Sequence, residues 1–89
     1  MKNEVAVIAA VSKGLDYRKQ HPSCLSEDVL QHINSTVREE RDQTTKLAMI
    51  VATSLALDFL DKHPAANEKL ALQHVMASLT EILQTAGGL

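Results

Sequence analysis

Aromatic residues are nearly missing from this chain: Tyr17 and Phe59 are the whole complement among 89 residues. Any core must therefore be filled by Ala, Val, Leu and Ile, a palette that suits helices packed on helices. Cysteine is almost absent as well. Cys24 stands alone, which excludes an intrachain disulfide and a cysteine zinc site and fits a reducing compartment. No run of Lys or Arg occurs and the formal net charge is −2, so broad attraction to nucleic acid or to anionic lipid is not expected. Long apolar runs are missing too. Leu47 to Leu57 is too short, and too interrupted by Thr53 and Ser54, to span a bilayer. Val5 to Val11 is too short, and Glu4 sits on its flank, for a secretory leader. On these grounds the chain is expected to be cytoplasmic, with no membrane and no nucleic-acid partner.

What is present is a repetition. "LDYRKQHP" at 15–22 returns as "LDFLDKHP" at 57–64, and laying residues 5–41 on 47–83 without a gap gives 12 identities in 37 positions. Chance supplies about one match in fifteen, so the chain reads as a duplicated unit of about 42 residues. With a mass of 9.7 kDa, one modest core and a single domain over 1–89 are expected.

Each unit reads as a long helix, a His-Pro break and a second helix. Ile8, Val11, Leu15 and Arg18 follow helical spacing, with Asn3 as cap and Pro22 as stop. Ser26 is a candidate cap for the next helix, with Glu27 and Asp28 in its first turn and Leu30, Ile33 and Val37 as its stripe. The second unit repeats the plan. Ile50, Leu57 and Leu60 lie on helix three, Asn67 caps helix four, and Leu72, Val75, Leu79 and Ile82/Leu83 form its stripe. Gly87 and Leu89 read as a helix stop. The expected fold is all-α: a four-helix bundle of two duplicated hairpins, helices near 3–21, 26–41, 44–63 and 66–86. The hairpins are related by a pseudo-twofold axis, and the bundle is open to completion by dimerisation. Between Ser26 and Lys62 there is neither Gly nor Pro, so the turn between helices two and three stays open. A Thr in "RDQTT" could start helix three, Thr36-x-x-Glu39 could start it earlier, or one helix could run through.

Ala6, Ala10 and Gly14, and again Ala48, Ala52 and Ala56, recur every four residues. Small residues at that spacing let helices one and three approach closely at the centre of the molecule. Helix three is apolar nearly all round, since Met49, Val51, Leu55 and Phe59 add to its stripe. Surface of that kind needs cover, which points to self-association as a homodimer, with a protein partner as the other occupant. Val51, Leu55 and Phe59 are the expected interface residues.

No constellation for chemistry emerges. His32 and His74 are the only metal candidates, and they are weak. No Glu stands three residues before any His, and Asp28, one turn before His32, is matched by Leu70 before His74. His21 and His63 are accounted for by helix ends. Asp16 and Asp58 read as surface ion-pair partners, Asp16 with Lys13 or Lys19 and Asp58 with Lys62. Cys24 lacks a positioned base. No cofactor is implied. The chain is expected to be a small interaction or regulatory protein rather than an enzyme; the alternative is a bundle holding a metal or small ligand through histidines between helices.

Overall fold

A computed structural model describes residues 2–86 and shows an all-helical chain, with no strand among the described residues. Helix α1 is Lys2–Gln20, α2 is Ser26–Glu39, α3 is Gln43–Lys62, α4 is Glu68–Ala77 and α5 is Leu79–Ala86. Gly87 and Leu89 lie outside the described residues, as does the side chain of Asn3.

The helix ends follow from local chemistry. Pro22 and Pro64 have no N–H to continue a ladder, so α1 and α3 stop just before the two His-Pro pairs. The N–H groups of His21 and His63 still reach back to Tyr17 O and Phe59 O, each at 2.9 Å. At the start of α2 the expected cap is shifted by one residue. Leu25 is the extended residue before the helix, Ser26 is already helical, and the Asp28 carboxylate accepts from the Leu25 N–H at 2.9 Å. Asn67 caps α4 as its sequence foretells, Oδ1 accepting from the Leu70 N–H at 3.0 Å.

The turn at residues 40–45 is made by acidic and hydroxyl contacts. Glu40 Oε1 accepts from the N–H groups of Arg41 and Asp42, which turns the chain. Asp42 then caps α3, its Oδ2 accepting from the Thr45 N–H at 2.9 Å and the Thr45 hydroxyl at 2.7 Å. The cap is therefore Asp42 rather than a Thr. Thr36 sits inside α2, where its hydroxyl accepts from Lys13 Nζ at 2.8 Å, so neither an early start nor a continuous helix occurs.

The expected helix four is two helices. Ser78 donates its N–H to Val75 O and offers its carbonyl to the Ile82 N–H, both at 3.0 Å, so it closes α4 and opens α5.

Helices α1 and α3 pack on each other more extensively than any other pair. Gly14 lies against Thr53, and farther along both helices Arg18 reaches Asp61, so the two run in the same direction. Lys13 meets Thr36 while Tyr17 meets His32, an order that falls as the other rises, so α2 runs antiparallel to α1. The core is aliphatic: Val7, Val11, Leu15, Ile33, Met49, Leu57 and Val75 are each at most 2% exposed. Helix α3 touches α1, α2, α4 and α5, and that central position covers much of the apolar surface around it.

Candidate functional site

Every histidine in the chain lies against one of the two aromatic rings, three of them stacked and His63 tilted. On α1, Tyr17 carries His21 one turn on at 4.2 Å between ring centroids, and His32 of α2 at 4.4 Å, both close to parallel. The phenol ring thus joins an imidazole from its own helix to one from α2, forming a bracket between the two helices. On α3, Phe59 carries His63 at 4.6 Å and His74 of α4 at 4.7 Å. His21 Nδ1 also lies 3.1 Å from Tyr17 O. Each bracket ties the end of one helix to the side of the next.

His32 and His74 thus belong to different brackets, each seated on its own aromatic ring. Among the described residues no three His, Cys, Asp or Glu side chains are grouped so as to hold a metal ion. The i, i+4 spacing of Tyr17 with His21 and of Phe59 with His63 is visible in the sequence; the cross-helix partners are not.

The small residues expected at the helix contact fall mostly inside. Ala10, Ala48, Ala52 and Ala56 have no exposed surface, Gly14 is buried, and Ala6 is half-buried. Gly14 faces Val29 and Ile33 of α2 as well as Thr53 of α3. Thr53 is fully buried and satisfies its hydroxyl by donating to Met49 O at 2.8 Å.

Among the charged groups, Lys62 pairs with Asp58 at 3.1 Å, as expected one turn apart. Lys13 bonds Thr36 instead of Asp16. Arg18, which its spacing places on the apolar stripe, crosses to Asp61 of α3 at 2.8 Å. The Asp42 carboxyl is held below its ordinary pKa by the Thr45 hydroxyl and then the Thr45 N–H, against an opposing effect of desolvation. Cys24 is free and half-buried.

Two grooves are prominent among the described residues. One, of about 920 Å³, opens at the His-Pro end, floored by Leu15, Leu60 and Leu72 and rimmed by Arg18, Asp61 and Lys69. The other, of about 580 Å³, lies between α1 and the α4–α5 junction, lined by Val5, Ile8, Ala9, Met76, Leu79 and Thr80, with Glu4 at its edge. Its lips are the most exposed aliphatic side chains nearby, Val5 at 68% and Met76 at 59%.

The residues expected at an interface are divided. Val51 is 40% exposed, beside Leu47 at 43% and Ile50 at 40%. Leu55 and Phe59 are only partly buried but pack against the core of their own chain. No helix is long and apolar enough to cross a membrane among the described residues. Comparison with protein families, with curated proteins and with solved structures returns no match to this chain.

Proposed function

We propose that this chain is a small cytoplasmic interaction protein that acts through protein–protein contacts and self-associates, rather than an enzyme. One observation carries the reading: the aliphatic surface left uncovered. Val5, Leu47, Ile50, Val51 and Met76 all contribute to that surface at 40% or more. Exposed aliphatic side chains grouped on one surface are the usual mark of a contact with a partner. On α3 the row Leu47, Val51, Leu55 and Phe59 recurs every four residues, and its outer half, Leu47 and Val51, is the exposed part.

The same reading takes the chain as two duplicated hairpins about a pseudo-twofold axis. Two features support it. Bracketed Tyr17 and bracketed Phe59 stand 42 residues apart, and their histidine partners, His21 with His63 and His32 with His74, keep the same offset. Helices α1 and α3 also run side by side in one direction, as two copies of one element about an axis along the bundle would.

Native mass spectrometry of the purified protein tests the function. A dimer in the absence of any other component is the expected result; a chain monomeric at tens of micromolar overturns self-association.

A further inference from the structure

The groove at the His-Pro end joins repeated residues to unrepeated ones. Its apolar residues mostly follow the repeat: Leu15 has Leu57 as its counterpart 42 residues away, Leu72 has Leu30, and Pro22 has Pro64. Its cations do not. Where α1 carries Arg18 and Lys19, α3 carries Leu60 and Asp61, and where α4 carries Lys69, α2 carries Glu27. Positive charge therefore gathers where the end of α1 meets the start of α4. The lining holds three cations, Arg18, Lys19 and Lys69, against two acids, Asp61 and Glu68, in a chain whose formal net charge is −2.

These charges are not equally committed. Asp61 is taken up by Arg18 at 2.8 Å. Lys19 and Lys69 form no ion pair among the described residues, and both are exposed. They come from different helices, one from the last turn of α1 and the other from the first turn of α4. The remaining acid, Glu68, also lies in the first turn of α4, where negative charge is favoured by the helix itself. Leu60 and Leu72 of the floor are only half-buried, so apolar surface reaches solvent beside the two free ammonium groups.

We infer that this groove binds a small amphipathic anion, an alkyl chain that covers Leu60 and Leu72 and ends in a carboxylate met by Lys19 and Lys69. The inference goes beyond the protein–protein contacts proposed above and does not depend on them. Size and charge select the ligand class. The volume of about 920 Å³ falls in the range of clefts that hold small molecules, roughly 300–1,000 Å³. A single negative head matches the one positive charge that the lining leaves unopposed, whereas a cationic head would meet that excess. An inorganic anion would leave the leucines wet, and the alkyl chain removes their surface from water.

NMR titration of the labelled protein with decanoate, kept below its micelle concentration, tests the inference, with circular dichroism as the check on folding. The methyl signals of Leu60 and Leu72 are expected to shift saturably while those of Val5 and Val51 stay in place. Decyltrimethylammonium, with the same chain and the opposite charge, is expected to bind about tenfold more weakly. Decanoate is expected to bind Lys19→Glu and Lys69→Glu about tenfold more weakly than the parent, since each variant turns an attraction into a repulsion. Arg38→Glu makes the same change of charge in the last turn of α2, which runs antiparallel to α1 and so ends far from the groove, and is expected to bind as the parent does. Lys69→Glu is decisive, because an added acid in the first turn of α4 suits that helix and separates lost binding from lost folding. The absence of a saturable shift with decanoate overturns the inference. Equal binding of the two amphiphiles overturns it as well, as does decanoate binding Lys69→Glu as tightly as the parent. Arg38→Glu weakened as much as Lys69→Glu also overturns it, by tracing the effect to overall charge.

Discussion

Gly14 of α1 lies so close to Thr53 of α3 that a β-carbon placed on Gly14 would stand 2.9 Å from Thr53 Cγ2, with Val29 Cγ1 at 3.1 Å. Glycine inside a helix is unfavourable by about 1 kcal/mol relative to alanine, so this residue stands against its own propensity. The reason is contact: two parallel helices meet where one of them has no side chain.

Gly14→Ala is therefore expected to destabilise by about 1–3 kcal/mol, since overpacking outweighs the gain in helix propensity. Thr53→Ser removes the obstructing methyl and keeps the hydroxyl that bonds Met49 O. The double variant should recover part of the loss. Urea unfolding followed by circular dichroism reads both, and a Gly14→Ala more stable than the parent would contradict the close approach of α1 and α3.

The bracketed aromatics should be energetically coupled to their histidines. Phe59→Leu preserves much of the apolar volume and removes the ring against which His63 and His74 lie. A double-mutant cycle of Phe59→Leu with His74→Ala should give a coupling of about 0.5–1.5 kcal/mol. The same cycle on Tyr17 and His32 should give a similar value, because the centroid distances differ little, 4.4 Å against 4.7 Å. A coupling near zero in both cycles would reduce the stacks to bystanders.

Asp42 links stability to acid. Its folded-state carboxyl titrates below its ordinary value, held there first by the Thr45 hydroxyl and then by the Thr45 N–H. A depressed carboxyl contributes stability that is complete above the unfolded value of about 4 and is lost as pH falls through the folded one. Asp42→Asn keeps an acceptor at the cap but does not titrate. Its stability relative to the parent should improve as pH drops below about 4, and Asp42→Ala should lower the unfolding midpoint at neutral pH. Thermal unfolding across that range checks both, and parallel pH profiles for Asp42→Asn and the parent would contradict the cap.

Arg18 and Asp61 form a cross-helix ion pair open to solvent, with side chains 30% and 56% exposed. Asp61→Ala is expected to change stability by less than ~1 kcal/mol, with the difference shrinking further in high salt. A larger effect, measured by urea unfolding, would show the pair to be part of the α1–α3 lock.

The boundaries that sequence reading places well are those with a covalent or capping cause. Pro22 and Pro64 end α1 and α3 because proline cannot donate, and Asn67 caps α4 because its side chain accepts from the helix start. Two boundaries are harder to see. The α2–α3 turn uses Glu40 and Asp42, whose charged side chains also suit a helix surface, although Asp42 three before Thr45 is a capping arrangement. The α4–α5 junction carries Ser78-x-x-Glu81, the pattern of a capping box, hidden within an apolar stripe that continues through it. Ile50 shows another limit. Periodicity groups it with Leu57, but it is 40% exposed, because the buried side of α3 joins Met49 and Leu57 to the small residues Thr45, Ala48, Ala52, Thr53 and Ala56. Small side chains are weak markers of a core face in sequence and strong ones in packing. The apolar girth of α3 suggests a need for a partner, and α1, α2, α4 and α5 meet much of it within the chain. The groove at Val5 and Met76 is invisible to periodicity, since it depends on a helix break.

The central claim is that two copies cover a surface that one leaves exposed. Sedimentation equilibrium of the parent over a roughly hundredfold range of concentration, bracketing a micromolar dissociation constant, tests it most directly. The account predicts a mass that rises from the 9.7 kDa chain to twice that value and no further. A mass that stays at 9.7 kDa throughout would contradict it.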